Sequence, residues 1–192
     1  MKLVIIDYGA GNIQSIKFAF QRLGIEAVLT NSVQEIVNAD RVIFPGVGEA
    51  SSAMKKLLGS GLQNVIVELK QPVLGICLGM QLMCNSSGEG HTKGLGIFDT
   101  EVIKFNVDLK VPQIGWNKIK NLKGNLFQGL TEDYIYLVHS YYAPKVARTV
   151  ATSTYGLEYS AALQKDNFYG VQFHPEKSGE YGAKILQNFL EI

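Results

Sequence analysis

Cys77 lies in Gly75-Ile76-Cys77-Leu78-Gly79, between an apolar run ending at Ile76 and a helix-like stretch from Leu78 to Cys84. A cysteine flanked by glycines at a strand-to-helix corner can project its sulfur above a sheet, as the serine does in a nucleophile elbow. At a helix N-terminus, backbone N–H groups and the helix dipole favour the thiolate. A second group, His174-Pro175-Glu176, follows 97 residues after Cys77. Proline holds the residue before it extended, and in extended backbone i and i+2 share a face. Glu176 can then orient the His174 imidazole and stabilise its charged form. The three residues read as a nucleophilic Cys-His-Glu set. His91 sits in a polar loop without an apolar anchor, and His139 has no carboxylate within three residues, so His174 is the preferred base. Acyl transfer also needs donors for a developing oxyanion. The backbone of Gly46, Val47 and Gly48, after an apolar strand, and the N–H of Leu78 can supply them. A plain turn is the competing reading of Pro45-Gly46-Val47-Gly48 taken alone.

The first 85 residues supply the frame for these groups. Residues 2–7, 25–30, 41–45 and 73–76 read as strands, with helices from Asn12, from Ser32, and over 50–58 and 62–70. Asn12 is the expected N-cap of the first helix, Gly24 its C-terminal stop, and Ser32-Val33-Gln34-Glu35 a capping box. This alternation predicts a parallel sheet covered by helices on both faces. Beyond about residue 95 come shorter β-type runs at 100–105, 111–119, 134–139, 148–154, 157–164 and 168–173. Lys165-Asp166-Asn167 is a hairpin turn between the last two, and a helix follows from Ser178 to Leu190. Ser86 to Gly96 reads as a connecting loop. Residues 1–192 are expected to form one α/β domain with an appended antiparallel portion.

Composition excludes several function classes. Of 192 residues, 46% are hydrophobic and 18% charged, so the chain can bury a substantial core. A net charge of +1 without a basic block gives no electrostatic reason to expect nucleic acid or an anionic membrane as partner. The apolar run from Leu3 to Ile6 meets Asp7 after four residues and is expected to be too short for a leader or a span. Cys77 and Cys84 are about 10 Å apart along a helix and beyond disulfide reach, which points to a cytoplasmic protein with reduced thiols. Cys84 reads as core within that helix. Gly9-Ala10-Gly11 lacks the third glycine of a dinucleotide fingerprint, position 14 being Gln.

Pro45 to Gly48, Gly75 to Gln81, and Gly170 to Ser178 together resemble the class I, triad-type glutamine amidotransferases. Asp7 to Asn12, Val111 to Asn117 and His139-Ser140-Tyr141-Tyr142 narrow the likeness to the glutaminase subunits of imidazole glycerol phosphate synthases in histidine biosynthesis. The likeness runs from residue 3 to 190. It implies a three-layer, flavodoxin-like fold with a mostly parallel central sheet, helices on both faces and an additional antiparallel strand region. It further implies that Cys77 attacks the glutamine side-chain amide, that His174 relays the proton, and that Glu176 orients His174. Gly48, Gln81, Ser140 and Tyr141 would hold the glutamine, with no cofactor and no metal. Ammonia would pass to a (β/α)₈-barrel cyclase subunit bound as a heterodimer, yielding imidazole glycerol phosphate and aminoimidazole carboxamide ribotide. Asn12, Gln113, Trp116, Asn117, Tyr136 and Lys177 are the expected docking face, although Trp116 could equally be a half-buried structural residue. The competing readings are another amidotransferase of this class, a free-standing cysteine hydrolase, and an interaction module without turnover. The intact Cys77, His174 and Glu176 set argues against the last.

Overall fold

A computed structural model describes all 192 residues. The chain runs through β1 (Leu3–Ile6), α1 (Ile13–Arg22), β2 (Ala27–Thr30), α2 (Val33–Val37), β3 (Arg41–Phe44), α3 (Ala50–Ser60), α4 (Leu62–Glu68), β4 (Val73–Ile76) and α5 (Leu78–Leu82). It continues through β5 (Cys84–Ser87), β6 (Thr92–Lys93), β7 (Phe98–Lys104), β8 (Gln113–Lys120), β9 (Tyr134–His139), β10 (Tyr141–Tyr142), β11 (Thr149–Thr154), β12 (Glu158–Lys165), β13 (Phe168–Val171) and α6 (Gly179–Glu191).

Nine strands make one sheet in the order β2-β1-β3-β4-β13-β12-β11-β8-β9. The five strands from β2 to β13 run parallel, and the remaining ladders are antiparallel. Every residue of β1, β4 and β13 is buried, the pattern of strands covered on both faces. Alternation sends Val4, Ile6, Val42, Phe44 and Val73 to a core shared with α2 to α5. Leu3, Ile5, Ile43, Leu74 and Ile76 face the opposite way, against α1 and α6. Three layers result, and the parallel region ends in a row of strand C-termini where ligands bind in folds of this kind.

Several local expectations need revision. The helix after Cys77 stops at Leu82 rather than Cys84, because the chain returning at Leu95 to Ile97 captures its terminal carbonyls. Leu95 N–H donates to Leu82 O at 2.8 Å and Ile97 N–H to Met83 O at 2.8 Å. Cys84 therefore opens a strand; it is fully buried, and burial raises its thiol pKa to about 12. The Ser86–Gly96 segment is not merely a connector, since the end of β5 and all of β6 lie in it and join β7 and β10 in a four-stranded sheet. Asn12 stands at the N-cap of α1 without capping it by its side chain. Only half of the capping box forms. Ser32 Oγ accepts from Glu35 N–H, but Glu35 pairs with Thr30 Oγ1, and that hydroxyl takes the Ser32 N–H.

Candidate active site

The β4–α5 corner is an elbow. Cys77 has φ 52 and ψ −111, a conformation that L-residues seldom adopt and that costs about 1–3 kcal/mol. Neighbouring backbone holds it there: Cys77 N–H donates to Val171 O at 2.8 Å, and Cys77 O accepts from Gln81 N–H at 3.2 Å. Close approach demands the glycines. A Cβ on Gly79 would run into the Phe44 carbonyl, and one on Gly46 would lie 2.6 Å from Gly79 N. The Gly46–Gly48 loop thus rests directly on the first turn of α5. Tyr8 fastens that loop from beneath, its hydroxyl donating to Pro45 O at 2.8 Å. Burial, and then the nearby Cys77 charge, raise the Tyr8 pKa, which keeps the hydroxyl a donor.

His174 follows β13, and the short turn Pro175–Lys177 swings Glu176 beneath it. Nδ1 and Glu176 Oε1 are 2.7 Å apart, with the two side chains 3% and 1% exposed. A tight turn, rather than the extended i, i+2 geometry anticipated above, makes this contact. Burial is the largest single influence on His174 and favours the neutral form. Hydrogen bonds and charges from Cys77 and Glu176 outweigh it, and the pKa rises from 6.5 to about 10. Ser178 clips the arrangement to β9: its hydroxyl donates to His174 O at 2.7 Å and accepts from Tyr136 N–H at 3.0 Å.

Cys77 and His174 open into one cleft of about 310 Å³, lined also by Val47, Gly48, Leu78, Gln81, Ser140 and Tyr141. Every residue expected to hold substrate except Gly46 reaches that wall; Gly46 supports it from behind. Glu89, Pro112, Val138 and His139 complete the lining; of these, sequence reasoning singled out only His139, and that as a rival base. Glu89 comes from the short segment between β5 and β6 and accepts the Ala50 N–H at 2.8 Å. Burial, which outweighs that hydrogen bond, raises its pKa, with the neighbouring Glu49 adding to the rise. His139 is the poorer base for a physical reason. Burial lowers its pKa to about 4, Nδ1 donates to Tyr141 O at 2.8 Å, and Nε2 has no partner. A larger groove of about 530 Å³ between α1 and β2 presents Lys17 and Glu26 but no nucleophile beside a base.

Pairing of β8 with β9 sorts the residues anticipated at a docking face. Ile114 and Trp116 point outward, 61% and 56% exposed, with Trp116 paired across to Tyr136. The two rings meet edge to face at 6.1 Å, and Lys177 Nζ lies 5.8 Å from the Tyr136 ring centre. Tyr134 adds a third exposed apolar side chain on the same strand pair. Gln113 and Asn117 fall on the opposite face of the strand pair, away from Trp116. Gln113 is 3% exposed and accepts from Tyr159 OH at 3.0 Å, and Asn117 Nδ2 donates to Thr154 O at 2.8 Å. Alternation along a strand forces this division.

Comparison with known proteins fits this geometry. The family model "Glutamine amidotransferase class-I" matches residues 4–192. "Imidazole glycerol phosphate synthase subunit HisH" of Bacteroides fragilis is 55% identical over 196 residues, covering 100% of both chains. The protein of the same name from Buchnera aphidicola is 46% identical, again over 100% of each. A crystal structure described as a glutamine amidotransferase superposes with TM-score 0.76 at 19% identity, over 98% of this chain and 97% of that one, a likeness of fold alone. With an elbow cysteine, a buried His–Glu pair and a family match over nearly all its length, this chain belongs to the class-I glutamine amidotransferases.

Proposed function

We infer that this chain hydrolyses glutamine at Cys77 and supplies the ammonia to a cyclase subunit of an imidazole glycerol phosphate synthase. The Cys77 thiolate attacks the side-chain carbonyl carbon of glutamine, and the oxyanion that forms is met by backbone N–H groups of the Gly46–Gly48 loop and of Leu78. Each such donor is worth ~10²–10³ in turnover. The His174 imidazolium gives its proton to the leaving nitrogen as the C–N bond breaks, releasing ammonia and leaving a glutamyl thioester. Neutral His174 then takes a proton from water, which attacks the thioester; glutamate departs and the thiolate returns. Glu176 holds Nδ1 throughout. Gln81, Ser140 and Tyr141 seat the glutamine, and Glu89 is the only carboxylate at the cleft wall able to meet its α-ammonium group.

The observation that carries the chemistry is one cleft holding a strained cysteine beside a histidine that is hydrogen-bonded to a buried carboxylate. Full-length identity of 46–55% to proteins named as subunits of the synthase supports the choice of acceptor system. A cyclase built as a (β/α)₈ barrel would dock over Ile114, Trp116, Tyr134, Tyr136 and Lys177, with Asn12 at the margin. This face adjoins the cleft, because Val138 pairs with Ile114 on one side and lines the cleft on the other. No helix is long and apolar enough to cross a membrane, and both cysteines are unpaired, in keeping with work in the cytoplasm.

The test is glutamate release by the purified chain with and without the cyclase subunit and its nucleotide ligand. Turnover should be near silent alone, rise strongly in the complex, and vanish in Cys77→Ala. Strong turnover without the partner, or survival of activity in Cys77→Ala, refutes the reading.

A further inference from the structure

The catalytic set leaves one buried polar side chain unused, although it touches the sulfur. Gln172, two residues before the base, is 0% exposed, and its Nε2 lies 3.7 Å from Cys77 Sγ. Its Oε1 lies 2.8 Å from Gln81 Nε2, which is itself 2.9 Å from Tyr141 O. The direction of this chain follows from valence. A backbone carbonyl can only accept, so the Gln81 atom facing Tyr141 must be the nitrogen. That same nitrogen faces Gln172, so the Gln172 atom it meets must be the oxygen. The remaining Gln172 nitrogen therefore points its N–H at the sulfur. His139 Nδ1–H takes the second lone pair of Tyr141 O at 2.8 Å, which closes the network at that end.

We propose that Gln172 is a positioning residue for the nucleophile, donating a hydrogen bond that holds Cys77 as a directed thiolate and ties it, through Gln81, to the wall that seats the substrate. It rests on Cys77 being the nucleophile. Gln172 is out of reach of water, so an unfilled N–H there would leave a buried donor unsatisfied. Hydrogen bonds to charged acceptors are stronger than those to neutral ones, and a thiol is a weak acceptor, so the bond favours sulfur as the anion. The same preference helps the sulfur leave as thiolate when the thioester is hydrolysed. The amide itself neither gains nor loses a proton.

The test is the pH dependence of iodoacetamide alkylation at Cys77 in the full chain, read by peptide mass so that Cys84 is scored separately. Gln172→Met keeps the volume and removes the donor. Its alkylation inflection should move up by about one pH unit, and the rate below the inflection should fall about tenfold. In the complex with the cyclase, kcat should fall while KM for glutamine stays close to wild type. A folded Gln172→Met chain with the wild-type inflection overturns the proposal. A measurement on the unsubstituted chain guards against misfolding of the variant. The Gln172 side-chain amide resonance should titrate with the Cys77 inflection and lose that step in Cys77→Ala; a flat resonance overturns the proposal equally. If Cys77→Ala retains turnover, the nucleophile assignment itself has failed. If that variant is dead and the Gln172 readouts are unmoved, only the role given to Gln172 has failed.

Discussion

Replacing Glu176 with glutamine probes the base and its orientation in one step. The carboxylate meets His174 Nδ1 at 2.7 Å in a pair almost sealed from solvent. A hydrogen bond between charged groups in such a place contributes about 1.5–3 kcal/mol, so its loss lowers the His174 pKa by about one to two units. In wild type that pKa is about 10, raised by Cys77 and Glu176 against the opposing effect of burial. The new amide has two poor options. Its nitrogen can face Nδ1 and force the tautomer that cannot take a proton at the sulfur side. Otherwise it replaces Oε2, which has no partner, and buries two N–H groups without acceptors. Turnover should fall by about 10²–10⁴, with a small change in KM because Glu176 does not line the cleft. Stability carries a second signature. A histidine whose pKa rises on folding contributes fully below its unfolded value near 6.5, and that contribution fades as pH climbs towards about 10. The melting temperatures of wild type and Glu176→Gln should therefore differ most at and below neutral pH and converge towards pH 10. The assay is glutamate release in the complex with the cyclase, together with thermal melts across this range. A kcat within about threefold of wild type, with a melting difference indifferent to pH, would refute the assigned base.

Gly79→Ala should destabilise the chain by about 1–3 kcal/mol and abolish turnover, because the added methyl meets the Phe44 carbonyl beneath the elbow; a denaturant melt and an activity assay check both. Tyr8→Phe removes the hydrogen bond to Pro45 O and leaves that carbonyl short of a donor. It should cost about 1 kcal/mol in stability and lower kcat more than KM, since the loop it fastens carries the proposed oxyanion donors. Trp116→Ala should weaken cyclase binding by about thirtyfold in calorimetry yet leave the melting temperature of the free chain nearly unchanged, its ring being 56% exposed.

The fold and the tight corner at Cys77 were legible for local reasons. Four-residue apolar runs such as Leu3–Ile6 and Val73–Ile76 alternate with helical periodicity, and that alone requires a helix-covered parallel sheet. Glycines on both sides of Cys77 signal a close-packed corner, and the proximity of His174 and Glu176 in the chain suggests a pair, although it is the Pro175–Lys177 turn that brings them into contact. The end of α5 was not legible. It depends on Leu95 and Ile97 returning from a later segment to take the Leu82 and Met83 carbonyls, and nothing near Cys84 announces them.

The amino-acid order by itself determined which side chains could do chemistry, because strand and helix periods and the tight Cys and His-x-Glu spacings are properties of a few neighbouring residues. Only the tertiary structure decided which of them meet. Gln113 and Trp116 are three residues apart, yet the pleat turns one into the core beside Tyr159 and leaves the other in solvent. Glu89, 12 residues past Cys77, and Gln172, 95 past it, are brought to its cleft and its sulfur by strand order in the sheets. Contacts across such separations are chosen by packing of the whole domain, and no local rule contains them.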